Sequence, residues 1–403
     1  NLNALTDEEA RRYLASRRDH GFNAVMFTLN FAPQGEEQNA YGEAAYQGPH
    51  KTDLNPQYFQ RCDRLLEACA AQGLYVMVYS MWAGEKAGTM NRYTAEQLAA
   101  LGAKLGARLA RHKHVILIAG GESSPPYIEA ERVSALGAAL KAAAPINLVA
   151  AHPCSERSSS QAFAAAPWLD FYMAHVKSGL DGDDWDAAKY IAEDFATVPT
   201  RPTMIGEHRY ESGVDEPPAL QRRALYQSLC AGAAGYAYGH NALWQMTPHA
   251  AAPWMLRNWN PGVAHWSVAL STPAVSQLCH VHALLEQLPG AERLPDQSLV
   301  LRGQGQGVAD RVQACRDGTL ARADATYVMA YVTAPQEVEL DTSVIASPSI
   351  DAWWFDPATG KRESIAKDAR NGGSLALPRR TQGHDWIAVI EAAAPAAADA
   401  PRP

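Results

Sequence analysis

Short apolar runs alternate with amphipathic segments along the first two thirds of the chain. The segment from Thr6 to Gly21 has a capping threonine, acidic residues in its first turn, basic residues later and a closing glycine, all of which indicate a complete helix. The apolar run Ala24 to Leu29 then predicts a buried strand, and a long polar loop follows from Asn30 to Asn55. The chain therefore opens with a helix that leads into a strand.

The same helix and strand cycle repeats. Predicted helices begin near residues 56, 94, 128, 185 and 218, and predicted strands begin near residues 21, 74, 115, 147, 171, 203 and 235. This regular spacing indicates stacked βα units, and the continuous apolar runs are typical of parallel strands covered on both faces. A (β/α)8 TIM barrel of the α/β class needs eight strands. We therefore expect either that the first strand precedes Asn1 or that the sheet is open.

The pattern changes after a predicted last helix at Ala283 to Leu288. Eight short runs separated by Gly, Pro, Asp and Asn predict a small all-β sandwich. Neighbouring residues of a strand face opposite ways, so we expect one of Trp353 and Trp354 to lie in its core. The predicted domains are a barrel over 1–295, a β-sandwich over 296–392 and a disordered Ala/Pro-rich tail over 393–403.

Composition narrows the classes of function. The 403 residues are 47% apolar and 19% charged, which is ordinary for a chain with a large core. A run of about 18 apolar residues is absent, so we expect no membrane span, and a net charge of -8 argues against a nucleic-acid partner. The six cysteines form no CxxC pair. The chain opens on Asn1 rather than Met, so we expect a processed amino terminus and a secreted or periplasmic protein; the oligomeric state stays open.

Two glutamates follow predicted strands. Glu122 comes after Gly120-Gly121, and Glu207 comes after Gly206. Counting the missing strand, these strands are the fourth and the seventh, so the two carboxylates would face each other across the barrel mouth. Cleavage of a glycosidic bond needs such a pair, because an acid must protonate the leaving oxygen and an ionised carboxylate must attack the sugar. The pair predicts a glycoside hydrolase.

Further polar and aromatic side chains follow the same strands and are expected to shape a sugar subsite. We predict the following substrate-binding residues: Trp82, His152, His175, Arg209, Tyr210, Glu211, Tyr238, His240, Trp244 and Gln245. Glu211 lies four residues beyond Glu207 in the same segment, so it competes with Glu207 for the nucleophile assignment.

Two other functions stay open. His152, His175, His208 and His240 could form a metal centre with Glu207, as in a metal-dependent hydrolase, but these histidines form no HxH or HExxH pair and we predict no metal and no cofactor. A carbohydrate-binding protein with a degenerate barrel would show sugar affinity without hydrolysis. A Ser-His-Asp hydrolase is disfavoured because no G-x-S-x-G motif occurs.

Several long motifs also resemble a known family. In chain order they are GFNAVMFTL, NPQYFQRCDRLLEACAAQGLYVMVYSMW, HVILIAGGE, AAHPCSERSSSQAFAAAPWLDFYM, PTMIGEHRYE, AGAAGYAYGHNALWQM and LPDQSLV. Together they resemble the apiosidase-like (β/α)8-barrel glycoside hydrolases over nearly all of residues 5 to 300, and IDAWWFDPATG resembles the β-sandwich that follows the barrel in that family.

The resemblance implies roles for individual residues. The carboxylate after the Gly-Gly pair is the acid/base of the family, here Glu122, and the glutamate of the Gly-Glu-x-Arg-Tyr-Glu motif is the nucleophile, here Glu207. The chain departs from the family pattern in having Glu122 where aspartate is usual and His208 where proline is usual. Our hypothesis is that the substrate is an oligo- or polysaccharide of the plant cell wall or a similar branched polysaccharide, cleaved with retention; the sugar, the linkage and the choice between retention and inversion stay open.

Overall fold

The computed structural model describes residues 2–29, 38–84, 89–176, 185–211, 217–246, 265–288, 292–321, 324–333, 335–380 and 385–393. Within these ranges the α-helices are α1 Asp7–Asp19, α2 Pro56–Ala71, α3 Ala95–Leu109, α4 Ala130–Ala143, α5 Ser160–Phe163, α6 Ala187–Phe195, α7 Ala219–Cys230, α8 Asn241–Gln245, α9 Pro273–Leu278 and α10 His280–Leu285.

The strands that precede residue 240 are β1 Ala24–Thr28, β2 Tyr46–Gln47, β3 Asp53–Leu54, β4 Tyr75–Tyr79, β5 Val115–Ile118, β6 Val149–Ala150, β7 Arg157–Ser158, β8 Tyr172–His175, β9 Thr203–Glu207 and β10 Gly235–Tyr236. Those that follow are β11 Leu294–Pro295, β12 Val300–Arg302, β13 Gln313–Arg316, β14 Tyr327–Val332, β15 Val338–Asp341, β16 Ser349–Phe355, β17 Arg362–Arg370, β18 Ser374–Leu377 and β19 Trp386–Ala392.

The helix starts read from the sequence are confirmed by their caps. Thr6 accepts a hydrogen bond from the Glu9 N–H while the Glu9 carboxylate accepts from the Thr6 N–H, which completes a capping box. Thr94 and Gln97 form the same reciprocal pair at the start of α3. Each cap contributes about 1 kcal/mol to helix stability. The predicted last helix is displaced, because α10 ends at Leu285.

The first part of the chain is a mixed α/β fold with two parallel arrays of strands. One sheet has the order β1-β4-β5-β6, and all of its pairs are parallel. In the other sheet β8, β9 and β10 are parallel, and the two-residue β7 lies antiparallel on the edge. The carboxyl ends of parallel strands meet at one edge, so the residues after β5 and β9 each emerge beside those of their neighbours. A short antiparallel pair, β2 with β3, forms a separate sheet. The described parallel strands lie in two sheets, and a closed eight-stranded barrel stays a prediction.

The described residues between 294 and 392 form antiparallel sheets, and all eight predicted strands are present. A six-stranded sheet has the order β11-β13-β14-β19-β16-β17, and a three-stranded sheet has the order β12-β15-β18. Side chains of both sheets contribute to one apolar core, as in a sandwich. Both Trp353 and Trp354 are buried. Trp354 lies in the core, whereas the Arg362 guanidinium covers the ring of Trp353 at 3.6 Å, so opposite faces of the strand are both shielded.

The chain divides into two compact units. The first comprises Asn1–Leu180, Glu193–Glu216 and Ala234–Ser276, and the second comprises Asp181–Ala192, Pro217–Ala233 and Gln277–Pro403. Helix α7 belongs to the second unit, where the ring of Tyr226 stacks on Tyr331 with centroids 5.6 Å apart. The predicted boundary at residue 295 stays a prediction.

Trp266–Leu285 is long and apolar enough to cross a membrane, but a single run of this kind is weak evidence because core helices meet the same criteria. Within the described residues it gives no clear membrane span.

Candidate active site

Glu122 lies four residues beyond the end of β5, where its neighbours leave room for its side chain and hydrogen-bond it. Its backbone has φ 45°, the left-handed region that a residue with a side chain rarely adopts, and such outliers concentrate at functional sites. The indole N–H of Trp82 donates to Glu122 Oε2 at 3.1 Å. Gly84 leaves room for the carboxylate, since a Cβ at that position would lie 1.6 Å from Oε2. The chain therefore holds Glu122 partly exposed and oriented by a donor.

Glu207 is the last residue of β9, and three side chains converge on it. His152 follows β6 and places Nε2 3.1 Å from Glu207 Oε2, while His175 ends β8 and places its own Nε2 3.6 Å from the same oxygen. The Tyr210 hydroxyl donates to Oε1. The side chain of Glu207 remains 11% exposed, whereas those of His152 and His175 are 2% and 0% exposed. The Glu207 carboxylate is thus slightly exposed to solvent, while the two histidine side chains that contact it are buried.

The side chains that contact Glu207 keep its carboxyl group ionised. Burial alone would raise the pKa of the carboxyl, but His175, His152 and Tyr210 together outweigh it and lower the pKa to about 2. Burial and the negative charge of Glu207 raise the pKa of Tyr210 well above its ordinary value, so the phenol remains a donor. Burial also lowers the pKa of His175. At neutral pH, Glu207 is therefore an ionised carboxylate, and His175 and Tyr210 beside it are neutral.

Further contacts hold the two imidazoles in place. His152 Nδ1 lies 3.2 Å from the Tyr79 hydroxyl, and His175 Nδ1 lies 3.3 Å from the carbonyl oxygen of Pro153. The sequence analysis missed Tyr79, because it lies inside the apolar run of β4 and reads as core. Its position at the carboxyl end of that strand is the signal that could have identified it.

Aromatic rings connect the two carboxylates. The Trp82 ring, which donates to Glu122, stacks on Tyr79 at 5.9 Å and lies 5.8 Å from His152, which contacts Glu207. The charge of Glu122 further raises the pKa of Tyr210, so Glu122 acts electrostatically on a residue that contacts Glu207. The structure therefore brings together Glu122, Glu207, Trp82, His152, His175 and Tyr210.

The segment after β9 is fixed to the segment after β10. The N–H of Glu211 donates to the carbonyl of Gly239 at 3.0 Å, and the Tyr210 ring lies against Gly239 so closely that a Cβ there would be 2.2 Å from the ring. Arg209 is half-buried between His208 and Tyr210. The absence of a side chain at Gly239 thereby lets the Tyr210 ring lie where its hydroxyl donates to Glu207.

Glu211 occupies a different environment from Glu207. It is fully buried, and its carboxylate accepts hydrogen bonds from the hydroxyls of Tyr238 at 2.7 Å and Thr272 at 2.6 Å and from the N–H of Ala274 at 3.2 Å. These contacts tie three chain segments together. The geometry favours a structural role for Glu211 and Tyr238, and it separates the two candidate nucleophiles by their surroundings.

The remaining predicted residues lie on or beside α8. His240 caps this helix by accepting from the Ala242 N–H at 3.0 Å, and the Trp244 indole donates to Asn241 at 3.1 Å. Gln245 ends the helix, and its side chain lies outside the described part of the structure. Their role as sugar ligands stays a prediction.

Two family models match the chain. The family model for the apiosidase-like catalytic domain matches residues 2–292, and a model for a collagen-binding-like domain of a collagenase matches residues 294–391. No similar protein was found among curated sequences.

Solved structures give the same fold. A protein described as a glycoside hydrolase is 23% identical with a TM-score of 0.78, over 97% of this chain and 90% of that one. A glycoside hydrolase family 5 protein from Bacteroides vulgatus is 23% identical with a TM-score of 0.82, over 97% and 87%. A β-L-arabinopyranosidase from Geobacillus stearothermophilus is 11% identical with a TM-score of 0.53, over 97% and 95%.

Proposed function

The chain belongs to the apiosidase-like family, and on that premise we propose that it hydrolyses a glycosidic bond with Glu207 as nucleophile and Glu122 as acid/base. The observation that carries the proposal is the environment of Glu207, a partly exposed carboxylate whose pKa is lowered to about 2 by His175, His152 and Tyr210. A nucleophile must be ionised at the working pH, and this surround keeps it so.

The proposed reaction proceeds in two steps. Glu207 attacks the anomeric carbon while Glu122 protonates the leaving oxygen, which gives a covalent glycosyl-enzyme. Glu122 then takes a proton from water, and the water oxygen displaces Glu207 from the sugar, so the anomeric configuration is retained. The Trp82 N–H, 3.1 Å from Glu122 Oε2, orients the acid/base through both steps.

We further propose that the first unit is a (β/α)8 barrel. The parallel order β1-β4-β5-β6, the parallel run β8-β9-β10 and helices between successive strands support it. In this arrangement Glu122 and Glu207 follow strands on opposite sides of one mouth. The proposed substrate is a short or terminal sugar unit of a branched plant cell-wall polysaccharide, which the enzyme would meet after secretion or in the periplasm.

The test compares isosteric variants on a panel of aryl furanosides, aryl pyranosides and pectic fragments. We expect Glu207→Gln to abolish turnover, and Glu122→Gln to lower it about 10²- to 10⁴-fold, least for aryl leaving groups that need no protonation. Glu129→Gln is the matched control, because the Glu129 side chain is 71% exposed and pairs with Arg132 on α4. It should leave turnover unchanged.

Two readouts separate the roles. Azide should restore turnover to Glu122→Gln with a glycosyl azide of retained configuration, and proton NMR of the first wild-type product should show retention. Undiminished turnover by Glu207→Gln would remove this residue from the nucleophile role. Inverted product would instead assign Glu207 as a general base. Sugar affinity without turnover by any substrate in the wild type would favour the binding-protein alternative.

A further inference from the structure

His152, His175 and Glu207 form a compact cluster of metal-ligating groups. The His152 Nε2, the His175 Nε2 and a Glu207 carboxylate oxygen all lie within 4.8 Å of one another. The two nitrogens are 3.1 and 3.6 Å from Glu207 Oε2. Donors around a tetrahedral ion with bonds of about 2.1 Å are separated by about 3.4 Å. The spacing therefore suits one ion bound by all three groups.

The hydrogen bonding leaves both Nε2 atoms available. His175 Nδ1 faces the carbonyl oxygen of Pro153, which can only accept, so the neutral ring carries its proton on Nδ1 and presents a lone pair at Nε2. The Tyr79 hydroxyl donates to the sulfur of Met26 at 3.5 Å, so its oxygen can accept from His152 Nδ1. Among the described residues, neither buried Nε2 atom makes a hydrogen bond of good geometry.

These features match the outer contacts of metal-bound histidines. Such residues usually donate their second ring N–H to a carbonyl or another oxygen, which fixes the tautomer and the ring orientation. Two imidazoles and one carboxylate with an open side form the ligand set of zinc sites that keep a position for water. The partial exposure of Glu207 leaves that side accessible. The sequence offered these three residues with His208 and His240 as a possible metal centre, and the structure groups only His152, His175 and Glu207 among the described residues.

We propose that His152, His175 and Glu207 bind a divalent first-row transition metal ion, zinc among them, and that the bound ion blocks hydrolysis. The second half rests on the proposed function, since an ion on Glu207 Oε2 occupies the oxygen that would attack the sugar. The metal-free enzyme is then the active form, and zinc is a reversible inhibitor that competes with the sugar for one carboxylate.

The test measures metal binding directly on the full chain. Protein freed of metal by chelator is titrated with zinc by calorimetry and with cobalt(II) by visible spectroscopy, where ligand-field bands report imidazole and carboxylate coordination. We expect one tight site in the wild type, at least about tenfold weaker in His152→Gln, His175→Gln and Glu207→Gln. Thermal melts show whether each variant is folded, and Tyr79→Phe, which retains all three ligands, should weaken binding about 10-fold or more through His152.

His114→Gln is the matched control. His112 and His114 form another histidine pair, with rings 5.8 Å apart, and His114 Nε2 contacts the carbonyl of Leu66 at 2.9 Å. The proposal would be overturned if His114→Gln weakened zinc binding and His175→Gln did not, or if none of the variants changed the zinc affinity. Hydrolysis should fall in parallel with zinc occupancy and recover with chelator, and activation by zinc would overturn the inhibitory role.

The two proposals fail in different ways. A wild-type chain that binds zinc at the cluster but hydrolyses no glycoside would refute the proposed function and leave the metal site standing. A chain that hydrolyses glycosides but binds no zinc at these residues would refute the metal site alone.

Discussion

Replacing Tyr210 by Phe removes the phenol that donates to Glu207 Oε1 and keeps the ring that lies on Gly239. A hydrogen bond to a charged group contributes about 1.5–3 kcal/mol. Without the phenol the Glu207 carboxylate must be brought back into its attacking orientation, at a cost up to this contribution. With about 1.4 kcal/mol per factor of ten, kcat/KM should fall about 10- to 150-fold. Stability should change little, because the Glu207 carboxylate remains partly exposed and water can replace the phenol.

Tyr238→Phe is the paired control for this prediction. Its phenol donates to Glu211, whose side chain is fully buried, so removing the phenol leaves a buried acceptor short of one donor. We expect the free energy of unfolding to fall by about 1–3 kcal/mol and kcat/KM to stay at the wild-type value. Steady-state kinetics on an aryl glycoside and urea unfolding measure both quantities. Normal kcat/KM in Tyr210→Phe, or an equal loss in Tyr238→Phe, would refute the distinct roles of the two glutamates.

Three other substitutions test the surrounding structure. Gly239→Ala places a methyl group 2.2 Å from the Tyr210 ring, so kcat/KM should fall at least as far as in Tyr210→Phe, measured in the same assay. Asp385→Asn removes the charge that faces Arg222, both side chains being 4% exposed, and should cost about 3–5 kcal/mol in urea unfolding; a smaller loss in Arg222→Met/Asp385→Asn would identify the uncompensated charge as the cause. Burial alone would raise the pKa of Asp63, but hydrogen bonds from Arg111, His112 and Arg108 outweigh it and lower the pKa. The ionised carboxylate therefore stabilises the fold above the ordinary value of 3.8, and this stabilisation is lost as pH falls through the lowered pKa. In Asp63→Asn, the free energy of unfolding should depend less on pH in that window, as measured by acid unfolding.

Local signals in the sequence predicted the elements well. Thr6 and Glu9 form a reciprocal cap within four consecutive residues, so the local sequence is sufficient to locate the helix start. The buried strands are continuous apolar runs, and their parallel pairing follows from the helices between them. Glu122 and Glu207 could be placed because a strand end fixes which residue emerges first.

The interior of the site could not be predicted in the same way. Glu207 and Glu211 are four residues apart, and only the positions of Thr272 and Tyr238, from distant segments, make one of them structural. Tyr79 lies in the apolar run of β4, so its sequence context predicts a core residue; its hydrogen-bond partner, His152, follows β6, which is separated from β4 by β5 in the sheet. Long-range pairing of this kind depends on how strands are ordered in space, and a single sequence carries no direct signal for that order.

Helix α7 has a consequence for how the protein can be dissected. It is encoded between β9 and β10, yet Tyr226 stacks on Tyr331 and Arg222 pairs with Asp385, so it completes the second unit. The two units are therefore interleaved along the gene rather than joined end to end. A fragment starting near residue 296 would leave Asp385 buried without its cation, and an insertion or swap at that boundary would transfer an incomplete module. Neither unit can be exchanged between relatives by a single crossover.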